Sequence, residues 1–282
     1  KQRFLLYLRL PRQAAYVNPA YLEKRVRGDE LVDAGSRFPT GFDPIGDDEA
    51  LVRRYLQHFF ATEDSYQPYV DYVQQDYCKR LFAETKVLLG IGDMEQWYSM
   101  LAPAYVEQLK QRVEIEFAPT QPAWYGANAP VGIDVDIKNV DKLLVKVFLI
   151  DTFDYEREAQ KEVDASIDLD GMVANQEQTF TYADNPLRRV RRHFDFPELS
   201  QPGTYVIEFL GNGLSSRAVI KKGRLQYVAR TGAAGQVLTV LDENGEVVTD
   251  ATAWCGGHEY GADKSGAICV PFAPAHKVES LI

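Results

Sequence analysis

The chain lacks an apolar run near the ~20 residues that a membrane-crossing helix needs, and it lacks the glycine-rich phosphate loops of nucleotide-binding folds. No Gly-x-Ser-x-Gly elbow stands between a strand and a helix, so the α/β-hydrolase arrangement is excluded. Basic residues are in deficit: 31 Lys and Arg against 41 Asp and Glu leave a net charge of −10 in 282 residues. That balance argues against nucleic acid as a partner, because phosphate contacts need a basic surface. It also argues against binding to anionic membranes. The start, Lys1-Gln2-Arg3-Phe4, carries no signal-peptide pattern, and the end, Val278 to Ile282, shows no anchor signal. The chain reads as an excised or processed piece of a longer protein, and its compartment is open, with a secreted or cell-surface setting favoured.

Chemically versatile side chains are scarce. There are four histidines, His58, His193, His258 and His276, and three cysteines. Cys78 falls in a helical stretch. Cys255 and Cys269 flank one hairpin and are candidates for a cross-strand disulfide, which would suit an oxidising compartment; two reduced cysteines is the open alternative. With His258 they offer three soft or borderline ligands, yet the spacing matches no zinc motif and a surface histidine on a hairpin explains the pattern better. Asp134 and Asp136, and Asp164, Asp168 and Asp170 near Gly171, are carboxylates of the sort calcium favours. They follow no EF-hand spacing, and residues two apart on a strand share a face that is usually the solvent one. No metal, cofactor or catalytic group is assigned.

What the sequence does contain is patterned. The apolar run Phe4 to Leu10 suggests a strand that Pro11 ends, and Pro19 opens a short helix through Tyr21, Leu22 and Val26. Gly35 to Gly46 reads as a loop. Asp47 or Asp48 caps a helix beginning at Glu49, with Leu51, Val52, Tyr55, Leu56 and Phe59 at helical spacing. A second periodic run covers Tyr66 to Leu89 and stops at Gly90, and a third spans Met94 to Lys110 with a break at Pro103. The aromatic stripe of these helices is core, since an amphipathic helix gains its stability by burying one face.

From Arg112 the period falls to two. Val113, Ile115 and Phe117, then Ile133, Val135 and Ile137, alternate with charged residues. Strands are expected at Leu143–Ile150, Val163–Leu169, Thr179–Tyr182, Val190–Phe196, Thr204–Leu210, Ser216–Ile220 and Arg224–Ala229. Gly232 to Gly235 reads as a linker. A smaller β unit follows, opened by a hairpin around Asp242-Glu243-Asn244-Gly245. At under 50 residues it is thin for an independent domain. The expected organisation is a mainly helical region over 1–110, a β-sandwich over 111–231 and a second, incomplete β module over 232–282.

The run Pro202-Gly203-Thr204-Tyr205-Val206-Ile207-Glu208-Phe209, the strand Ser216–Ile220, the Gln236–Val248 hairpin and Asp263-Lys264-Ser265-Gly266 before Ala267–Phe272 carry a pattern. In this C-terminal part the chain resembles the macroglobulin-type β-sandwich modules of the α2-macroglobulin superfamily. The resemblance implies tandem immunoglobulin-like sandwiches in a multidomain, non-enzymatic protein that binds other proteins or other domains of its own chain. The Gly-Cys-Gly-Glu-Gln thioester motif of that superfamily is absent, so no acyl transfer is implied.

Two binding surfaces suggest themselves. Arg188, Arg189, Arg191, Arg192 and His193 put five basic residues in six, enough to dock an acidic partner. An edge strand blunted by charge against aggregation is the structural alternative. Trp124, Tyr125 and Trp254 would supply a stacking platform if the chain were an accessory carbohydrate- or peptide-binding module of a larger enzyme.

Overall fold

Phe4 and Leu8 lie four residues apart and are both buried, while Leu6 between them is exposed. That is the spacing of a helix, and in the computed structural model of the chain Gln2–Leu8 is helix α1, not the expected strand. A short continuous apolar run fits either period, and here the packing against a helical core decides. The structure describes residues 1–10, 14–25, 47–122, 124–272 and 281–282. The expectations for Pro11, Val26, the Gly35–Gly46 loop and His276 lie outside the described residues. The chain divides into two compact units. One comprises Lys1–Arg112 with Asp184–Val190, the other Val113–Ala183 with Arg191–Ile282.

In the helical unit, α1 is followed by α2 (Pro19–Arg25), α3 (Glu49–Phe60), α4 (Gln75–Leu89), α5 (Met94–Ser99) and α6 (Pro103–Gln111). Val52, Leu56 and Phe60 of α3 are buried, whereas Leu51 and Tyr55 face outward. They pack with Tyr69, Tyr77, Leu81 and Phe82 in one aromatic-rich core. Gly90 ends α4 in the left-handed conformation at φ 64°, and the amide of Ile91 reaches back to the Lys86 carbonyl. This is the Schellman arrangement for which glycine is favoured. Pro103 sits at the start of α6, where its missing N–H is harmless, so the third periodic run is two helices.

In the β unit, β1 (Glu114–Phe117), β3 (Gly132–Lys138) and β6 (Arg189–Asp195) form one sheet in the order β1-β3-β6. β2 (Trp124–Tyr125), β4 (Lys142–Ile150), β5 (Gln176–Thr181), β7 (Gly203–Gly211) and β8 (Leu214–Lys222) form a second, in the order β2-β8-β7-β4-β5. Ile133, Val135 and Ile137 from the first meet Leu143, Val145, Ile207 and Phe209 from the second in one core. This is a β-sandwich with inward residues at every second position. Asn212 and Gly213, at φ 46° and 81°, turn β7 into β8 between the paired residues Gly211 and Leu214. Such positive φ values give the two-residue hairpin its hand.

The expected strand Val163–Leu169 is absent. A helix, α7 (Thr152–Ala159), leads into an irregular segment instead. Asp164 accepts the Ser166 amide and Asp168 accepts the Asp170 amide. These local turns compete with strand pairing. The alternating Val163, Ile167 and Leu169 are buried all the same, against Phe148, Ile150 and Val206 on the other face of the five-stranded sheet. Alternation here records burial without a ladder.

The remaining strands are β9 (Gln226–Thr231), β10 (Gly235–Leu241), β11 (Thr252–Cys255), β12 (His258–Gly261) and β13 (Ala267–Pro271). The expected linker at 232–235 is a hairpin turn closed by the Gly232 amide on the Gly235 carbonyl. β9, expected as the last strand of the sandwich, pairs with β10 in the sheet β13-β10-β9. Among the described residues, Leu238, Ala253 and Ile268 form the buried centre of these strands. Two of their turns share one device: Asp242 accepts the amides of Asn244 and Glu246, and Asp263 those of Ser265 and Ala267. The helical region followed by β-sandwich modules is thus the observed architecture.

Candidate interaction surfaces

Along β3, Asp134 and Asp136 fall on the same face because strand side chains alternate. From β6, Arg191 donates to Asp136 through Nε and Nη2 at 2.8 and 2.7 Å. His193 lies between Asp134 (Nδ1 to Oδ1, 2.7 Å) and Asp195 (Nε2 to Oδ1, 3.1 Å). Hydrogen bonding to Asp134 raises the His193 pKa above its ordinary value, with Asp195 adding to the effect. Of the carboxylates that suggested calcium, Asp134 and Asp136 therefore hold basic side chains, and Asp164 and Asp168 hold turn amides. Arg192 stacks on Tyr182, 3.8 Å from guanidinium carbon to ring centre.

The basic strip is accordingly divided. Arg188 and Arg189 belong to the helical unit, where the Arg188 guanidinium covers the α-carbon of Gly90. Arg191 and Arg192 belong to the β unit, on a strand at the edge of its sheet. Their intramolecular partners favour the charge-blunted edge over a single contact strip.

Trp124 and Tyr125, adjacent on β2, point opposite ways. Tyr125 packs against the sandwich core and donates its hydroxyl to the Gly132 carbonyl. Trp124 is 49% exposed and carries the Lys221 ammonium 5.0 Å and the Arg224 guanidinium 5.9 Å from its ring centre. It lines a cleft of about 800 Å³ with Thr152, Glu156, Lys221, Arg224 and Glu243. Glu243 receives the Ala127 amide at 3.0 Å. Within this cleft two carboxylates are driven apart. Burial, then Glu162, pushes Glu156 up, while the Lys221 hydrogen bond holds Glu162 down. Trp254 lies on β11 opposite Glu259 and bonds through its backbone to Ile282; it does not line the cleft. The three aromatics do not form a platform.

Cys255 pairs across the β11–β12 hairpin with His258, and Cys269 faces Val237 on β10. Both thiols are free, as is that of Cys78, which burial pushes up to about 12. The two cysteines expected to pair stand in separate sheets. Among the described residues no group of three His, Cys, Asp or Glu side chains could hold a metal ion.

A densely partnered, buried ionic group is one that sequence reading missed. Glu84 on α4 is fully buried and meets Arg53 at 2.5 Å, Arg112 at 2.9 Å and the Tyr105 hydroxyl at 2.7 Å. Burial alone would raise its pKa, but Arg53, Tyr105 and Arg112 together hold it below the usual carboxylate range. A second buried carboxylate, Asp48, accepts the Tyr7 and Tyr16 hydroxyls, each at 2.5 Å. These partners come from remote segments, so no local spacing announces them.

A family model described as the Actin-binding protein F N-terminal domain matches residues 1–113, close to the extent of the helical unit. A second, described as the AbpF first immunoglobulin-like domain, matches residues 143–223, from β4 to the end of β8. The sandwich core of the structure also takes in β1 and β3, which precede that match. Two structures of native α2-macroglobulin from Escherichia coli show a remote likeness. One, spanning domains MG0-NIE-MG1, has a TM-score of 0.39 at 14% identity and covers 61% of this chain and 64% of that one. The other, spanning NIE-MG1, has a TM-score of 0.36 at 16% identity and covers 61% and 96%. Over 98% of its length the chain is 36% identical to Actin-binding protein F of Dictyostelium discoideum, of which it spans 12%.

Proposed function

We propose that this chain is a non-enzymatic, structural and protein-binding segment of a larger multidomain protein, and that its partner is actin. The supporting observation is the 36% identity to an actin-binding protein over an alignment that takes in the helical and β regions alike. The geometry agrees with display more than turnover. Ionisable groups are engaged in cross-strand pairs and in buried anchors, and the two shifted carboxylates of the cleft owe their opposite shifts to burial and to one lysine. We read three parts: a helical region to about residue 112, an immunoglobulin-like sandwich, and a second β module that takes in β9. The paired Asp-x-x-Gly turns support a macroglobulin-type style for the β modules. Arg191 and Arg192 then act at the rim of a contact, where charge steers encounter more than it holds a complex.

Co-sedimentation of the 282-residue chain with filamentous actin tests the reading. The chain is expected in the pellet, saturably and with a binding strength that falls as salt rises. Recovery of all the chain in the supernatant over a range of actin concentrations removes actin as the partner of this segment.

A further inference from the structure

β9 is an edge strand with no further strand on it among the described residues. It pairs on one side with β10, from Gln226 opposite Leu241 to Thr231 opposite Gln236, and ends its sheet on the other side. All six of its residues are exposed. Pairs in an antiparallel ladder alternate between bonded and non-bonded. Counting from the bonded Gly232–Gly235 closure, the backbone groups of Tyr227, Ala229 and Thr231 point away from β10. Consistently, the Val240 carbonyl opposite Tyr227 turns from β9 to accept the Val248 amide. Among the described residues those outward groups meet no backbone partner. The side chains are not those of a protected edge. Leu225 at 69% exposure, Tyr227 at 59% and Val228 at 57% are large, apolar and uncovered, where edges are ordinarily blunted by charge or proline.

Along the chain the charge near this strand has one sign. From Phe209 to Leu241 the chain has no carboxylate and five cations, in a protein of net charge −10. Arg217 and Lys221 are used by Glu208 and Glu162, and Lys222 is buried on the Leu199 carbonyl. Arg224, which lines the Trp124 cleft together with Glu243, and Arg230 form no ion pair among the described residues, and they flank the exposed apolar stretch. On β9, Tyr227 and Ala229 share the face of Val240 and Leu238, and Val228 and Arg230 share the face of Thr239 and Val237.

We infer that β9 is a docking edge for an extended acidic segment, which adds as a further strand with alternating acidic and apolar residues. Apolar side chains of the added strand lie beside Tyr227, acidic ones beside Arg230, and the main chain satisfies the outward groups of Tyr227, Ala229 and Thr231. Strand addition to an open edge draws affinity from main-chain bonds and selectivity from alternate side chains. This inference does not depend on actin being the partner.

The test uses the 282-residue chain and two synthetic peptides, Thr-Glu-Val-Glu-Val-Glu-Val-Thr and its counterpart with Lys for Glu, followed by amide hydrogen exchange. The acidic peptide is expected to slow exchange at Tyr227, Ala229 and Thr231, and the lysine peptide to leave it unchanged. Ala229→Pro removes an amide that β10 does not use, so the chain should keep its melting temperature and lose the acidic peptide. Arg230→Glu should weaken the acidic peptide about three- to tenfold and admit the lysine peptide, by turning a cross-strand attraction into repulsion. Equal binding of both peptides, or of neither, overturns the inference. So does protection of those amides in the peptide-free chain, whether by its own remaining residues or by a second copy detected in sedimentation.

Discussion

Both units bury charge, but the helical unit gathers partners for it from several segments, whereas the β unit pairs it strand to strand, Glu114 opposite Lys138 and Glu208 opposite Arg217. Glu84 and Asp48 sit inside the helical unit, ringed by two arginines and three tyrosine hydroxyls. In the sandwich, Asp134, Asp136, Arg191 and His193 pair on an outer face while the core between the sheets is aliphatic and aromatic. Helices present side chains all round, so an inward polar residue can be met by partners from several elements. A sheet sorts residues by parity, so most polar ones leave by the outer face and a buried one is met from the neighbouring strand. The two units should therefore fail differently, and each prediction can break that contrast.

The largest effect belongs to the sandwich core. Phe209 is fully buried and meets Phe117 and Phe194 edge-on, at 5.5 and 5.2 Å between ring centres. Phe209→Ala should cost about 3–5 kcal/mol in denaturant unfolding. A loss below 1 kcal/mol would mean the core is looser than its packing indicates.

Next is Glu84→Gln, expected to cost about 3 kcal/mol, at the low end for a broken buried pair because both arginines keep some solvent contact. Its pH signature is distinctive. A carboxyl held below its unfolded pKa stabilises above that value, ~4.3, and the contribution is lost as pH falls through the folded pKa. Wild type should lose helical signal on acidification, and Glu84→Gln should flatten that dependence. Parallel curves for the two proteins would refute the assignment.

Within the β unit, the strands β9 to β13 have a buried cluster of three residues among those described, where the sandwich has many. Amides of β10 and β13 should exchange faster than those of β7 and β8, which lie between neighbours in a sheet covered on both faces. Equal protection would show that these strands borrow stability from the sandwich.

The smallest effects are on the outer face. Arg191→Ala should change stability by about 1 kcal/mol, since the arginine is half-exposed and the pair is screened by salt, although Asp136 is mostly covered. The His193 imidazole should titrate above the usual ~6.5 in nuclear magnetic resonance. Its modest contribution is present below that pH and fades as pH rises through the folded value. Asp134→Asn should bring the titration back down.

The fold was readable wherever the signal was local. Gly90 stopping a helix, Pro103 starting one and Asn212-Gly213 reversing a strand act through their own dihedral angles. Misreadings arose where a pattern admitted two outcomes. Phe4 to Leu8 suits a strand or a helix, and Val163 to Leu169 alternates for burial while aspartate turns prevent pairing. The candidate surfaces were less legible. Five basic residues in six are evident in sequence, but not that Asp136 and Gly90 await two of them. Trp124 and Tyr125 look equivalent until one faces a cleft and the other the core.

By itself the sequence determined the change from helix to strand near residue 112, the alternation that builds two sheets and the turns that join them, because each depends on residues only a few positions apart. Tertiary structure alone decided which charges meet, which carboxylate is buried and which strand is left without a neighbour. Those outcomes depend on what distant segments bring to the same place, and a side chain's environment is set by that company.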